Sequence, residues 1–252
     1  MQMRRGDLVI DYGDEGRGLP LVLVHAFAAD RALWEPQATA LGPRYRVIAP
    51  DLRGFGGSSG TDGSAVTMDR YADDILELVD HLGLKRVFIG GISLGGYVAL
   101  SFAPRAGADN PEWASFREAL VADVLQRGAV AVVENYGDKP FGPSCPAEAR
   151  EAVRRMILRQ NAEGLASGTR GMAVRPDRRP SLPSITVPTL VIHGTADQYI
   201  PASEGLAMHQ SIPGSRYVEI PEAGHLSDVD SPGAFNRAGD GFLQPFAAEY
   251  DR

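Results

Sequence analysis

The 252-residue sequence contains a single cysteine, Cys145. One cysteine can form neither an internal disulfide bond nor a cysteine-rich metal cluster, and it fits a reducing compartment. The longest apolar run, residues 19–29, is 11 residues long, whereas a membrane-spanning helix needs about 20. The first 11 residues lack the apolar stretch of a signal peptide. We therefore expect a cytoplasmic protein that makes no membrane contact.

Basic residues are outnumbered by acidic ones, 25 to 32, and the net charge is −7. An acidic balance argues against nucleic acid and anionic membranes as partners. A small molecule is the expected partner, and the chain is expected to be a monomer or homodimer. Its length suits one domain, or a core domain with a small insertion.

Continuous apolar runs alternate with helical stretches along much of the chain. Strands are predicted at residues 21–24, 45–49, 87–89, 189–192 and 216–220, and helices at 34–41, 68–82 and 234–248. This alternation is typical of an α/β fold with a mostly parallel sheet flanked by helices. In helix 68–82 the apolar residues form one stripe, and four acidic residues are expected to face water: Asp73, Asp74, Glu77 and Asp80.

Residues 111–183 have helical periodicity but no convincing strand, and their end is rich in proline and arginine. We interpret this region as a helical cap inserted into a core domain formed by residues 1–110 and 184–252. The alternative is a set of ordinary helices flanking the sheet.

Residues 91–95 read Gly-Ile-Ser-Leu-Gly and match the G-x-S-x-G pattern. A predicted strand precedes them and an apolar helix follows, so the serine lies on a sharp turn. Side chains two positions before or after the serine would clash in such a turn, which explains both glycines. The pattern predicts Ser93 as a catalytic nucleophile; the alternative is an incidental serine.

A serine nucleophile needs a base, usually histidine, that an acid orients. Asp197 follows the predicted strand 189–192, and His225 follows strand 216–220. Since the carboxyl ends of parallel strands meet at one edge of a sheet, these side chains are expected to converge on Ser93. The chain order Ser, Asp, His is the order expected of α/β-hydrolases.

Other residues could take these roles. Asp228 and Asp230 lie close to His225 in sequence and could orient it instead of Asp197. His193 is interpreted as a structural residue at a strand end, and His81 and His209 as solvated residues of helices.

A tetrahedral intermediate needs hydrogen-bond donors for its oxyanion. The backbone N–H groups of Leu94 and Phe27 are the candidates, and His25 is expected to hold the loop of Phe27 by hydrogen bonds. The glycine-rich stretch 51–59 lacks the lysine of a P-loop and is interpreted as a structural loop beside the site.

The sequence resembles the α/β-hydrolase superfamily, and within it small bacterial carboxylesterases, with 3-oxoadipate enol-lactonases as cousins. The matching segments are His-Ala-Phe at 25–27, Asp-Leu-Arg-Gly-Phe-Gly at 51–56, Gly-Ile-Ser-Leu-Gly-Gly at 91–96, Gly-Thr-Ala-Asp at 194–197, Gly-His at 224–225, and residues 105–112 and 171–177 around the cap. The resemblance implies an eight-stranded, mostly parallel sheet and hydrolysis of short-chain esters without a cofactor or metal. Candidate pocket residues are His25, Trp113, Phe116, Tyr136, Phe141 and Met172, although aromatic residues at helical spacing often only fill a core.

Two departures from the family pattern stand out. The oxyanion loop reads His25-Ala26 where the family has His-Gly, and a β-carbon there would restrict the backbone if the loop needed a positive φ. The larger departure follows Ala103, where about 15 residues, including one strand of about five or six residues, are missing. A natural or engineered deletion, a strand exchanged between copies, or residues that the sequence as written omits would each explain it. We expect the remaining core strands to form and the gap to be filled or closed.

These features favour a serine carboxylesterase. The same three residues could also perform lactone hydrolysis, C–C bond hydrolysis or perhydrolysis, because the reaction depends on the pocket rather than on the fold. A non-catalytic ligand-binding relative is the third hypothesis.

Overall fold

The computed structural model describes residues 1–102, 111–177 and 179–250, with the side chains of residues 111–115 left out. The strands of this part are β1 (Gln2–Arg5), β2 (Leu8–Gly16), β3 (Leu19–Val24), β4 (Tyr45–Pro50), β5 (Phe88–Gly91), β6 (Leu190–Gly194) and β7 (Arg216–Ile220). The α-helices are α1 (Glu35–Leu41), α2 (Met68–His81), α3 (Leu94–Ser101), α4 (Pro111–Arg127), α5 (Ala129–Tyr136), α6 (Ala147–Leu158), α7 (Ala162–Ala173), α8 (Ala202–Ser211), α9 (Ser227–Asp230) and α10 (Pro232–Tyr250). Two 3₁₀ helices, Arg31–Trp34 and Arg179–Ser184, complete the list.

Five strands form one sheet in the order β1-β2-β4-β3-β5. Strand β3 pairs in parallel with both β4 and β5, whereas β2 pairs antiparallel with β4. All six residues of β3 are buried. The continuous apolar runs thus form the covered centre of a mixed sheet, as expected of strands with helices on both faces.

The N-terminal hairpin of β1 and β2 was not predicted from the sequence. In β2 the side chains of Leu8, Ile10 and Tyr12 are buried while those between them are half-buried. This period-two alternation is the sequence signal of a strand with one covered face. Strand β1 pairs antiparallel with β2, from Gln2 opposite Asp11 to Arg5 opposite Leu8.

Helix α2 begins where Thr67 caps it, its side chain accepting a hydrogen bond from Arg70 N at 3.2 Å. The prediction that Asp74 faces water was wrong. Asp74 is fully buried, and its carboxylate accepts hydrogen bonds from Arg53 Nε and Nη2 at 2.9 and 2.7 Å. A buried carboxylate persists because a guanidinium pairs with both of its oxygens.

Strands β6 and β7 form a separate parallel pair, from Leu190 opposite Arg216 to Gly194 opposite Ile220. The core strands predicted from the sequence therefore form. Within the described part of the chain, however, no strand joins β5 to β6, so no strand there closes the expected gap. The segment after Ala103, on which that expectation rests, lies outside the described residues.

Helices α4 to α7 lie between the two groups of strands in sequence, and the described residues of this region contain no strand. One hydrophobic cluster joins Val22 and Val24 of β3 with Leu120, Val124 and Leu165 of these helices. The helices thus share a core with one face of the five-stranded sheet. The division of the chain into a core domain and a cap stays a prediction.

None of the helices in the described part of the chain combines the length and the apolar character that crossing a membrane would require.

Candidate active site

Ser93 lies on the turn between β5 and α3, with φ 54° and ψ −117°. Few residues other than glycine adopt a positive φ, so this backbone is strained, and such strain is concentrated at functional sites. A β-carbon on Gly91 would overlap the backbone of Gly95, and one on Gly95 would overlap the carbonyl of Val24. Both glycines of the motif are therefore required by the close passage of strand and helix.

The loops after β6 and β7 bring Asp197 and His225 together. Asp197 Oδ2 lies 2.8 Å from His225 Nδ1. Its other oxygen, Oδ1, accepts hydrogen bonds from the backbone N–H groups of Tyr199 at 2.8 Å and Ile200 at 3.0 Å. Each carboxylate oxygen has its own partners, so the carboxylate is held facing the imidazole.

The charge state of Asp197 follows from these contacts. Burial alone would raise the pKa of its carboxyl group. The hydrogen bond from His225, the charge of that imidazole and the N–H groups of Ile200 and Tyr199 outweigh burial and lower the pKa below its usual value. Asp197 is thus held as an anion that can orient a histidine and stabilise its protonated form.

The neighbouring carboxylates lie in different surroundings. Asp230 Oδ2 accepts hydrogen bonds from Gly142 N at 2.7 Å and Gly224 N at 2.5 Å, so it holds two loops together. Asp228 is fully buried, and no side chain of a described residue donates a hydrogen bond to its carboxylate. Burial raises the pKa of Asp228 to about 7. Neither side chain makes the contact with His225 that Asp197 makes.

His193 supports the loop of Asp197. Its Nε2 lies 2.9 Å from the carbonyl oxygen of Ile200 and 3.7 Å from Asp197 Oδ2. A ring hydrogen bond to that carbonyl fixes the loop that carries Asp197, in line with the structural role expected for this histidine.

Ser93 and His225 line the same large cavity. Among the described residues, no hydrogen bond joins the Ser93 hydroxyl to the His225 ring. Nucleophile–base hydrogen bonds are often long in the absence of substrate. The structure therefore places the three predicted catalytic residues around one cavity and shows one of the two contacts that a triad requires.

The loop after β3 carries the first candidate oxyanion donor. His25 is fully buried, with Nδ1 2.8 Å from the Ala26 carbonyl and Nε2 accepting from Leu52 N at 3.0 Å. Desolvation lowers the pKa of this histidine, as expected of a neutral ring that accepts a hydrogen bond. His25 therefore ties this loop to the loop after β4 and does not line the cavity, contrary to its assignment to the pocket.

A positive φ was considered for Ala26, but it occurs two residues later. Positive φ in this loop falls on Ala28, at 63°, and not on Ala26. Phe27 lies between them and lines the cavity with Ser93. Leu94 is the first residue of α3, so its N–H has no acceptor within the helix and is free to bind an anion.

The other predicted pocket residues divide between cavity and core. Tyr136 and Met172 line the cavity. Phe116 lies behind Tyr136, with ring centroids 5.9 Å apart. Phe141 is buried in a cluster with Cys145 and does not reach the cavity. The side chain of Trp113 lies outside the described part of the structure.

Tyr199 is a site residue that the sequence pattern missed. Its ring makes edge contacts with Tyr136 at 5.5 Å and with His225 at 5.3 Å. Tyr136 in turn lies 6.3 Å from Phe27. An aromatic wall thus runs from the oxyanion loop to the histidine. The sequence feature that could have identified Tyr199 is its position two residues after Asp197, the predicted catalytic acid.

The glycine-rich loop after β4 has the structural role predicted for it. The carboxylate of Asp51 accepts hydrogen bonds from Arg31 N at 2.7 Å and Gly57 N at 2.8 Å. These bonds join the loop to the segment after β3, which carries Phe27.

Comparison with known proteins identifies the family. Residues 21–238 match the model of the alpha/beta hydrolase family, and the chain belongs to this family. A thermophilic esterase from Thermogutta terrifontis is 37% identical and superposes with a TM-score of 0.91 over 94% of each chain.

Two curated relatives bear other activities in their names. 3-Oxoadipate enol-lactonase 1 of Acinetobacter baylyi is 27% identical over 89% of this chain and 88% of its own length. A non-heme haloperoxidase of Rhodococcus erythropolis is 33% identical over 76% of this chain and 80% of its own. Together with the family match, the esterase and lactonase relatives identify the chain as a hydrolase.

Proposed function

We propose that this hydrolase is a serine carboxylesterase that cleaves short-chain esters through Ser93, His225 and Asp197. The observation that carries the proposal is the Asp197–His225 hydrogen bond of 2.8 Å at the cavity that Ser93 lines. An oriented imidazole that lines one cavity with a strained serine at a helix N-terminus matches the arrangement that serine hydrolases use.

The proposed reaction has two halves. His225 Nε2 takes the proton of Ser93 as its oxygen attacks the ester carbonyl, and the N–H groups of Phe27 and Leu94 bind the oxyanion. His225 then gives that proton to the departing alcohol, which leaves an acyl group on Ser93. A water molecule, deprotonated by His225, attacks the acyl group and returns Ser93 to its starting state.

Short acyl chains are favoured by the wall of Phe27, Tyr136 and Tyr199 beside the site. Bulky rings there leave an apolar surface suited to a small acyl or alcohol group. The esterase relative at 37% identity supports the same reaction.

A lactonase is the second candidate, because an enol-lactonase is among the curated relatives. A lactone is an internal ester, and the same steps would open it. The haloperoxidase relative makes perhydrolysis the third reaction to assay. Parallel measurement of kcat/KM for p-nitrophenyl acetate, an enol-lactone and hydrogen peroxide with acetate ranks the three.

The test is the Ser93→Ala variant assayed on p-nitrophenyl acetate and butyrate. We expect kcat/KM to fall by about 10³-fold or more. Ser101→Ala, which removes the hydroxyl at the far end of α3, is the matched control and should keep wild-type activity. Intact-mass analysis should find one fluorophosphonate adduct on wild type and on Ser101→Ala, and none on Ser93→Ala. A wild-type protein that neither reacts with the probe nor cleaves esters would instead be a non-catalytic ligand-binding relative.

A further inference from the structure

The two groups of strands face each other across the cavity. Every residue of β5 (Phe88–Gly91) and of β6 (Leu190–Gly194) lines it. On its other side β5 pairs with β3, and β6 pairs with β7. In the described part of the chain, the cavity-facing backbone edge of each strand has no strand partner. We call the space between these edges the inter-sheet slot.

Most side chains beside the slot are apolar, although the whole cavity is also lined by charged residues such as Arg86 and Glu204. Helix α10 contributes Phe242 and Phe246, which pack against Phe88 of β5. Helices α3 and α8 contribute Leu100 and Met208. A ligand bound between β5 and β6 could therefore form hydrogen bonds with strand backbone on two opposite sides. Its other two sides would contact mainly apolar side chains.

The cavity is larger than one small substrate requires. Its volume is about 1500 Å³, compared with roughly 300–1000 Å³ for typical ligand pockets. The lining includes both Ser93 and the strands of the slot, so the two belong to one cavity.

We propose that the inter-sheet slot is a binding site for an extended apolar peptide segment of another protein, which pairs in parallel with β5 and β6. Only a strand offers backbone donors and acceptors on two opposite edges and side chains on two opposite faces. Strands β5 and β6 are four and five residues long. The bound segment would thus need about five residues, rich in valine, isoleucine, leucine or phenylalanine, as in other cases of strand addition.

The chain itself is a poor source of such a segment. Residues 103–110 contain no valine, isoleucine, leucine or aromatic residue. The apolar extended runs of the described residues already form paired strands, and β3 is buried along its whole length. A second copy would have to give up one of these strands and expose its own core, which favours a partner of different sequence.

The probe is a fluorescent peptide, acetyl-Lys-Gly-Val-Phe-Val-Ile-Val-Gly-Lys-amide, added to the full chain. Fluorescence anisotropy measures the dissociation constant, and hydrogen exchange by mass spectrometry follows residues 88–91 and 190–194. We expect saturable binding and at least tenfold slower exchange at both strands. Binding to Ser93→Ala should be unchanged, so the result does not depend on the hydrolase activity.

The controls separate strand pairing from simple apolar contact. The same peptide N-methylated at alternate central residues keeps its side chains but loses hydrogen bonds to one strand, and it should bind at least tenfold more weakly. Leu100→Glu, in the slot wall, should weaken binding at least tenfold, whereas Leu125→Glu on the exposed side of α4 should not. Circular dichroism verifies that both variants fold, and the peptide controls do not depend on them.

Three results would overturn the proposal. One is the absence of binding, and another is binding that N-methylation leaves unchanged. The third is a stable dimer, seen by sedimentation velocity without peptide, in which both strands are already protected; the slot would then serve a second copy of the chain.

Discussion

The five-stranded sheet and the two-stranded sheet differ in how their strands are covered. Strand β3 has a neighbour on each side and is buried at all six positions. Strands β5 and β6 have one strand neighbour each, and nearly all their residues are only half-buried. The candidate site is divided in the same way, because Ser93 follows β5 while Asp197 and His225 follow β6 and β7.

This division explains which contact of the site is formed. Asp197 and His225 belong to loops of one strand pair, whose register holds them 2.8 Å apart. Ser93 belongs to the other sheet, and no described hydrogen bond links it to His225. Contacts within one sheet are fixed by strand pairing, whereas no strand pairing in the described part of the chain fixes contacts between the sheets.

The largest expected effect is on activity and concerns Asp197, in the loop after β6 of the two-stranded sheet. Asp197→Asn keeps the shape of the side chain but removes the charge that orients His225, so kcat on p-nitrophenyl acetate should fall by roughly 10³–10⁴-fold. The exposed Asp177→Asn is the control. A decrease in kcat of less than tenfold would mean that another carboxylate, such as that of Asp228, orients His225.

The next effect is on the free energy of unfolding and concerns Asp74 of α2, a helix that packs on the five-stranded sheet. Asp74→Ala leaves the partly exposed guanidinium groups of Arg53 and Arg70 without their shared carboxylate partner, and the free energy of unfolding should fall by about 2–4 kcal/mol. Asp73→Ala, at an exposed neighbouring position of α2, should change it by less than about 0.5 kcal/mol. Urea denaturation compares the two variants. Equal decreases in unfolding free energy for the two variants would show that the buried ion pair of Asp74 does not stabilise the fold.

Asp228, in α9 after β7, makes the free energy of unfolding depend on pH. Its pKa is raised from 3.8 to about 7 in the folded chain, so folding favours the protonated form. This contribution to stability is fully present below about pH 4 and is lost as pH rises through about 7.

Asp228→Asn should remove this dependence. Relative to wild type, the variant should gain roughly 1–3 kcal/mol between pH 5 and pH 8, since wild type alone acquires a buried negative charge with no cationic side chain paired to it among the described residues. The exposed Asp7→Asn serves as the control. Parallel pH profiles for wild type and Asp228→Asn would refute the assigned ionisation.

The smallest effect concerns the aromatic wall that spans the two sheets. Tyr199→Phe removes a hydroxyl that donates to the Tyr136 carbonyl at 3.3 Å but keeps the ring against His225. We expect a loss of about 0.5–1.5 kcal/mol in unfolding free energy and nearly unchanged kcat/KM. Tyr199→Ala also removes the ring, and a larger rise in KM for that variant would identify the wall as a substrate contact.

Local patterns were the most reliable part of the sequence interpretation. The G-x-S-x-G turn, the strands β3, β4 and β7, and helix α2 follow from residue size and periodicity. The strand at 216–220 was predicted with the bounds that the structure has. The hairpin of β1 and β2 was missed because its glycines and charges conceal a period-two pattern, and Asp74 was misplaced because its partner Arg53 lies 21 residues earlier.

By itself, the amino-acid sequence determined the fold class and the order of Ser93, Asp197 and His225 along the chain, whereas the gap expected after Ala103 stays a prediction. These features depend on short-range pattern and chain order, which a linear sequence displays. Only the tertiary structure decided that His25 and Phe141 lie outside the cavity, that Tyr199 lies against His225, and that two backbone edges face each other across a slot. These facts depend on which distant segments pack together, because burial and hydrogen bonding are properties of neighbours in space.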